Sequence, residues 1–297
     1  MTPENESTVR IANILFATDF SEISAKALPY AAAFARRFAA RLTVVHVIPP
    51  AEAERKAEKG ADAKSASRHE AETRINHLLE ASHFRGVRHE VVLAEGEILP
   101  VLASAAEQRQ ADLLVLGMHG RHGLAKVLLG SVAEEILRLA QIPVLIVGPD
   151  VVVPPEEELT VHRVLYAADF SPGCGRAMQY AGTIARAEHA RLLVLHVVGD
   201  AWKEPLSTRI EAEEYLRKRL KERGWMASID PVEPELLVEF GPAEDRIFET
   251  AERQRVELLV LDLPPTEHPV LAAHLPGPMA YNVASHAHCP VLAVRGR

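Results

Sequence analysis

The chain has 297 residues, of which 48% are hydrophobic and 25% charged, and its formal net charge is −8. That much apolar material suffices for two ordinary cores, and the acidic balance argues against duplex nucleic acid as the main partner. No apolar run approaches the ~20 residues that span a bilayer, the opening Met1-Thr2-Pro3-Glu4-Asn5-Glu6 lacks the basic and apolar regions of a signal peptide, and Cys174 and Cys289 alone make no disulfide framework, so a reducing cytoplasm and no membrane partner are expected.

Residues 10–17 read as a first strand. Ile23, Ala27, Tyr30, Phe34 and Phe38 recur at helical spacing and predict a helix over 23–38. A second strand follows at 42–48. Residues 51–64 are charged and rich in Ala, Glu and Lys, which predicts a mobile connection running into a helix over 67–84. A strand at 88–93, a helix at 98–108 and a buried strand at 111–116 come next. A glycine-rich loop then leads into a helix over 132–139, and a last strand lies at 144–147. Strands separated by helices predict a parallel, right-handed, doubly wound sheet. Ligands of such sheets bind beyond the carboxyl ends of the strands, at the switch in strand order. The ends of the first, second and fourth strands are therefore where a site is expected.

The chain then repeats itself. Ile14-Leu15-Phe16-Ala17-Thr18-Asp19-Phe20-Ser21 returns as Val164-Leu165-Tyr166-Ala167-Ala168-Asp169-Phe170-Ser171, and Val44-Val45-His46-Val47 as Val194-Leu195-His196-Val197. Residues 14–50 and 164–200 share 16 identities in 37 positions. Asp112-Leu113-Leu114-Val115-Leu116 matches Glu257-Leu258-Leu259-Val260-Leu261, and Pro143-Val144-Leu145-Ile146-Val147 matches Pro290-Val291-Leu292-Ala293-Val294. A unit of this length is a domain, not a solenoid repeat. Two fused domains are predicted, 1–150 and 151–297, joined near Gly148-Pro149-Asp150 and the polar run Val153-Pro154-Pro155-Glu156-Glu157-Glu158. Residues 1–150 carry 17 basic and 19 acidic side chains and the remainder 16 and 22, so the first half is the less hostile to an anion.

Between the fourth strand and the next helix lies Gly117-Met118-His119-Gly120-Arg121-His122-Gly123, continuing to Lys126 and to Gly130-Ser131. Glycines let backbone amides converge on an anion, and the helix N-terminus adds roughly half a positive charge. Each residue also has a plain structural use. Gly117 and Gly120 can make a tight turn, and Gly130 can allow close helix packing. Ser131 with Glu134 forms a capping box. Ser21 reads as the cap of the first helix, which leaves Asp19 free at the strand mouth. His46 and His196 read as satisfied strand-end histidines, and His119, Arg121, His122 and Lys126 either reach phosphate or face solvent.

Taken together, the chain resembles the universal stress protein family in its tandem, two-domain form, over residues 10–148 and about 162–295. That family's signature is Gly, two residues, Gly, nine residues, Gly, then Ser or Thr, and Gly117, Gly120, Gly130 and Ser131 meet it in full. The resemblance implies two doubly wound, Rossmann-like domains of the adenine nucleotide alpha hydrolase-like type, with five strands each. It implies ATP as ligand, with Mg or Mn as accompanying cation. The glycine loop and Ser131 would hold phosphates and ribose, and Asp19 and Val47 would lie near the adenine. The expected ligand-binding residues are Ala17, Thr18, Asp19, Val47, Leu116, Gly117, His119, Gly120, Gly130, Ser131 and Val132. The resemblance also implies pairing through the last strands, here within one chain, with residues 144–147 antiparallel to 291–294, and leaves room for a homodimer of whole chains.

The second half departs from the pattern. Gly117 aligns with Asp262, Gly120 with Pro265, Gly130 with Gly277 and Ser131 with Pro278. Prolines supply no N–H, and Asp262 is expected to repel a phosphate, so ATP binding there in the same manner is not expected. Other classes fit less well. There is no Walker Gly-x4-Gly-Lys-Ser/Thr, no glycine in the first strand–helix turn for a dinucleotide, and no Ser-Gly-Gly loop for an ATP-splitting synthetase. His268, His274, His286, His288 and Cys289 are of zinc-ligand type, but His-Ala-His-Cys-Pro also resembles the ordinary helix-to-strand junction of this family. No catalytic residue stands out. A nucleotide-independent scaffold and a slow ATPase remain as alternatives.

Overall fold

The computed structural model describes residues 9–50, 63–118, 131–170, 174–199, 209–263 and 279–296. In the first half, β1 (Asn13–Ala17) leads to α1 (Glu22–Arg37), β2 (Arg41–Ile48), α2 (Ala63–Leu79), β3 (His89–Glu95), α3 (Ile98–Gln108), β4 (Leu113–Gly117), α4 (Ser131–Leu139) and β5 (Val144–Val147). The second half runs through β6 (Arg163–Ala167), α5 (Cys174–Glu188), β7 (Arg191–Val198), α6 (Arg209–Glu222), a short α7 (Trp225–Ser228), β8 (Glu235–Phe240), α8 (Ala243–Arg253), β9 (Leu258–Leu263), α9 (Met279–His286) and β10 (Val291–Arg295).

All ten strands form one sheet, in the order β3-β2-β1-β4-β5-β10-β9-β6-β7-β8. Pairing inside each half is parallel. At the centre β5 and β10 run antiparallel, with Val144 opposite Ala293, Leu145 opposite Leu292 and Ile146 opposite Val291. A parallel sheet needs cover on both faces, so its strands read as near-continuous apolar runs; in β2 only Arg41 is exposed. On one face Ile14, Phe16 and Val44 pack with Ala27, Ala31 and Phe34 of α1. On the other, Leu15, Val45 and Leu116 pack with Leu102 and Ala105 of α3 and with Ala133, Ile136 and Leu137 of α4. Crossovers on alternate faces reverse strand order at β1, so β2 and β4 flank it.

Element boundaries differ from expectation where tertiary contacts intervene. The second helix ends at Leu79, and residues Ser82–Phe84 form a separate 3-10 turn that buries Phe84. The third strand runs two residues beyond 93, because β2 continues to pair with it up to Ile48 opposite Glu95. The predicted mobile connection at 51–64 falls outside the described residues except at its end, where α2 has begun.

The polar joint between the halves is held down. Glu156 accepts from Ser82 at 2.7 Å and pairs with Arg36 at 2.9 Å and His83 at 3.0 Å. The Ser82 hydroxyl, with help from the two bases, holds the Glu156 carboxyl below the usual range. Across the seam Arg37 makes two 2.9 Å bonds to Glu188, and Lys26 donates to the carbonyls of Pro149 and Val151.

Candidate functional site

The carboxyl ends of β1, β2 and β4 converge as a switch point requires. Ala17 lies opposite Val45 of β2 and Leu116 of β4. Past the end of β1 the chain is built as a fixed turn. The Thr18 amide donates to Val45 O at 3.0 Å. The Thr18 hydroxyl sits 3.0 Å from Ser24 Oγ and accepts from the Phe20 amide. Asp19 Oδ1 accepts from the Ser21 amide at 2.9 Å. Asp19 is exposed, yet it is not the unengaged carboxylate expected from sequence, because Asp side chains readily satisfy the amide two residues on. Ser21 then caps α1 by accepting from the Ser24 amide.

Phe20 supplies the signal that sequence reading missed. It sits at φ 61°, a conformation that side chains other than glycine rarely adopt, and Phe170 repeats it at 59°. The Phe20 ring packs 4.3 Å from the His46 ring, and the Arg74 guanidinium lies over it at 5.8 Å. His46 Nδ1 is 2.8 Å from Thr18 O. A carbonyl only accepts, so Nδ1 carries the proton. His46 is a strut for the turn, as its strand-end position suggested. The recurrence of Asp-Phe-Ser and of the histidine in both halves was the available clue; the second half builds the same frame from His196 Nδ1 and Ala168 O at 2.8 Å.

Val47 and Leu116 are buried on the face covered by α3 and α4, and Val132 packs partly buried against the same cluster. Gly117 ends β4, and Met118 follows fully buried with its amide on Val147 O. Gly117 has a strict local reason to be glycine. A Cβ there would lie 2.4 Å from Ile23 O and 2.7 Å from the Ser24 amide nitrogen, both backbone atoms of the first turn of α1. Ala17, Thr18, Asp19, Val47, Leu116 and Gly117 are thus brought to neighbouring strand ends. His119, Gly120 and Gly130 lie outside the described residues, as do Arg121, His122 and Lys126. Ser131 is described only as the first residue of α4. Glu134, the other half of the expected capping box, accepts at Oε1 from Arg138 Nη2 at 2.6 Å.

In the second half Asp262 occupies the register position of Gly117: it lies opposite Val294, as Gly117 lies opposite Val147. Its Oδ2 accepts from the Tyr166 hydroxyl at 2.7 Å. Its Oδ1 is buried with no hydrogen-bond partner among the described residues. Burial, reinforced by the nearby Asp169 charge, pushes the Asp262 carboxyl up to about 8 against the opposing Tyr166 bond. The expected repulsion of phosphate is weakened, because a carboxyl so raised is only partly ionised at pH 7. Cys289 is buried and its thiol pushed up to about 12, chiefly by burial, so it is a poor thiolate donor. Among the described residues no cluster of three or more metal-ligating side chains occurs; His268 and His274 lie outside them.

Two doubly wound α/β repeats, each with a strand-order switch at its first strand, define the class. The chain belongs to the universal stress protein family, whose model matches residues 11–148 and again 160–295. A universal stress protein of Methanocaldococcus jannaschii is 31% identical over 139 residues, 45% of this chain and 80% of the relative. One from Mycobacterium tuberculosis is 27% identical over 283 residues, 84% of each chain, so both repeats align in a single relative. The crystal structure of a universal stress protein from Archaeoglobus fulgidus superposes with a TM-score of 0.74 at 21% identity, over 97% of each chain, and shares the fold. Among the described residues no helix is long and apolar enough to cross a membrane.

Proposed function

We propose that this is a cytoplasmic stress-response protein whose first domain, residues 1–150, binds ATP, and whose second, 151–297, is a pseudo-symmetric partner that has lost the binding loop. The observation that carries this reading is the meeting of the Thr18–Asp19 turn, Val47 and the Gly117 exit at the switch point, with the Gly-x2-Gly-x9-Gly-Ser signature joining β4 to α4. The donor set suits an adenine nucleotide. The exposed Asp19 carboxylate offers an acceptor, and the buried Val47 and Leu116 make the strand ends beside it apolar. The α4 N-terminus, with Ser131 and Val132, suits phosphate, as helix N-termini do. His119, Gly120 and Gly130 would complete the phosphate nest, and Mg or Mn would arrive with the triphosphate. The second domain offers Asp262 and prolines in place of those amides. Its role is to pair with the first through the last strands, as two separate chains would, with further pairing of whole chains read by light scattering.

The test is a thermal-shift series with ATP, ADP, AMP and GTP on the full chain. A ligand at ~100 times its Kd stabilises by ~2.7 kcal/mol, so a clear, adenine-specific rise in Tm is expected. Gly120→Val abolishes it. Gly117 is the wrong position to probe, since any Cβ there collides with α1 whether or not nucleotide binds. No response to any nucleotide, with no ligand released from protein purified from cells, would establish the nucleotide-independent scaffold instead.

A further inference from the structure

The pseudo-symmetry of the two halves is broken at one place on the seam. Aligning Pro143 with Pro290 sets Gly148 against Arg295, Leu137 against Ala284 and Ala140 against Ala287. Arg295 ends β10, and its side chain crosses into the first half. Nη2 donates to Leu137 O at 2.6 Å and to Arg138 O at 3.0 Å, and Nε donates to Ala140 O at 3.0 Å. The residue is only 4% exposed, and its own carbonyl accepts from Arg176 at 2.9 Å. The Leu137 and Arg138 carbonyls belong to the last turn of α4 and Ala140 directly follows it; carbonyls at a helix C-terminus have no partner within the helix and are stabilised by a cation. At the counterpart position the first half has bare backbone: a Cβ on Gly148 would stand 2.3 Å from Ala284 O, at the end of α9. One helix receives a guanidinium from the other domain, and its twin receives a glycine. The helix that receives the arginine is the one that follows the intact glycine signature.

We infer that Arg295 is a positioning residue for the nucleotide site. Through it the second domain fixes the end and axial placement of α4, and so the N-terminus that meets phosphate about 13 Å away along the nine-residue helix. This rests on the ATP-binding reading for its functional half and on geometry alone for its structural half. A domain without the loop then has a defined task at the loop of its neighbour.

The experiment uses the full chain with Arg295→Met, Arg295→Lys and, as a seam control, Arg37→Ala, which removes the Arg37–Glu188 pair without touching α4. Two readouts are taken: hydrogen exchange of peptides spanning 132–139 without ligand, and the ATP Kd by calorimetry at a temperature where each variant is folded. Arg295→Met is expected to speed exchange in α4 at least tenfold, selectively over the rest of the chain, and to weaken ATP binding about tenfold. Arg295→Lys, which keeps one cation with fewer donors, recovers part of both. Arg37→Ala moves neither. Unchanged α4 exchange in Arg295→Met overturns the inference, as does an unchanged Kd despite freed α4 amides. Should Arg295→Met fail to fold, the lysine variant decides on the same two readouts. A wild-type chain that binds no nucleotide defeats the functional reading, while the exchange data still judge the clamp on α4.

Discussion

At the scale of single residues, the two halves make opposite choices at equivalent points. Gly117 lets β4 end against the backbone of α1, whereas its counterpart Asp262 places a carboxyl beside Tyr166 and Asp169. Raised to about 8 by burial, Asp262 binds its proton more tightly folded than unfolded. The sign follows from linkage. The stability this neutral carboxyl contributes is fully present below its unfolded value near 4 and is lost as pH rises through about 8. Asp262→Asn cannot ionise, so its stability relative to the parent should climb between pH 4 and 8 and level off above, with about 6 kcal/mol as the upper bound set by ~1.4 kcal/mol per pKa unit. Urea midpoints across that range check it, and parallel curves would show that the carboxyl titrates normally. Asp19 teaches a related lesson: a carboxylate read as free from its place after a strand is in use within its own turn.

At the scale of elements, local sequence rules carried far. The apolar spacing of Ile23 to Phe38 located α1 to within a residue, because a helix buried on one face must repeat its apolar positions. Ser21 was legible as its cap, and Ser21→Ala should cost about 1 kcal/mol, with faster amide exchange confined to the first turn of α1. Loss spread over the whole chain would mean that Ser21 acts through the Thr18 turn instead. The second helix was read five residues too long at its end: Phe84 reaches the core from a separate 3-10 turn. The conformation of Phe20 was hinted at only by the recurrence of Asp-Phe-Ser in both halves. Phenylalanine rarely takes φ 61°; here the Thr18 and Asp19 side chains bond the turn's amides and the His46 and Arg74 side chains pack on the ring.

At the scale of the whole molecule, the central β5–β10 pairing turns two five-stranded sheets into one. Leu145 and Leu292 face each other there, both fully buried. Leu292→Ala should cost about 2–5 kcal/mol. Both tryptophans, Trp202 and Trp225, belong to the second half, so fluorescence follows that half while circular dichroism follows both. The two urea transitions should coincide in the parent, as cooperative unfolding demands, and separate in Leu292→Ala. Coincidence in both proteins would show that the seam does not set cooperativity. The sequence by itself determined the α/β class, the repeat, the strands that flank the switch point and the glycine signature, because each is written in local periodicity, turn chemistry or direct recurrence. Only the tertiary structure decided the raised carboxyl of Asp262, the strict need for glycine at 117 and the reach of Arg295 across to α4. Each of these depends on which backbone atoms lie within a few ångströms after distant segments have packed, and no local pattern encodes that distance.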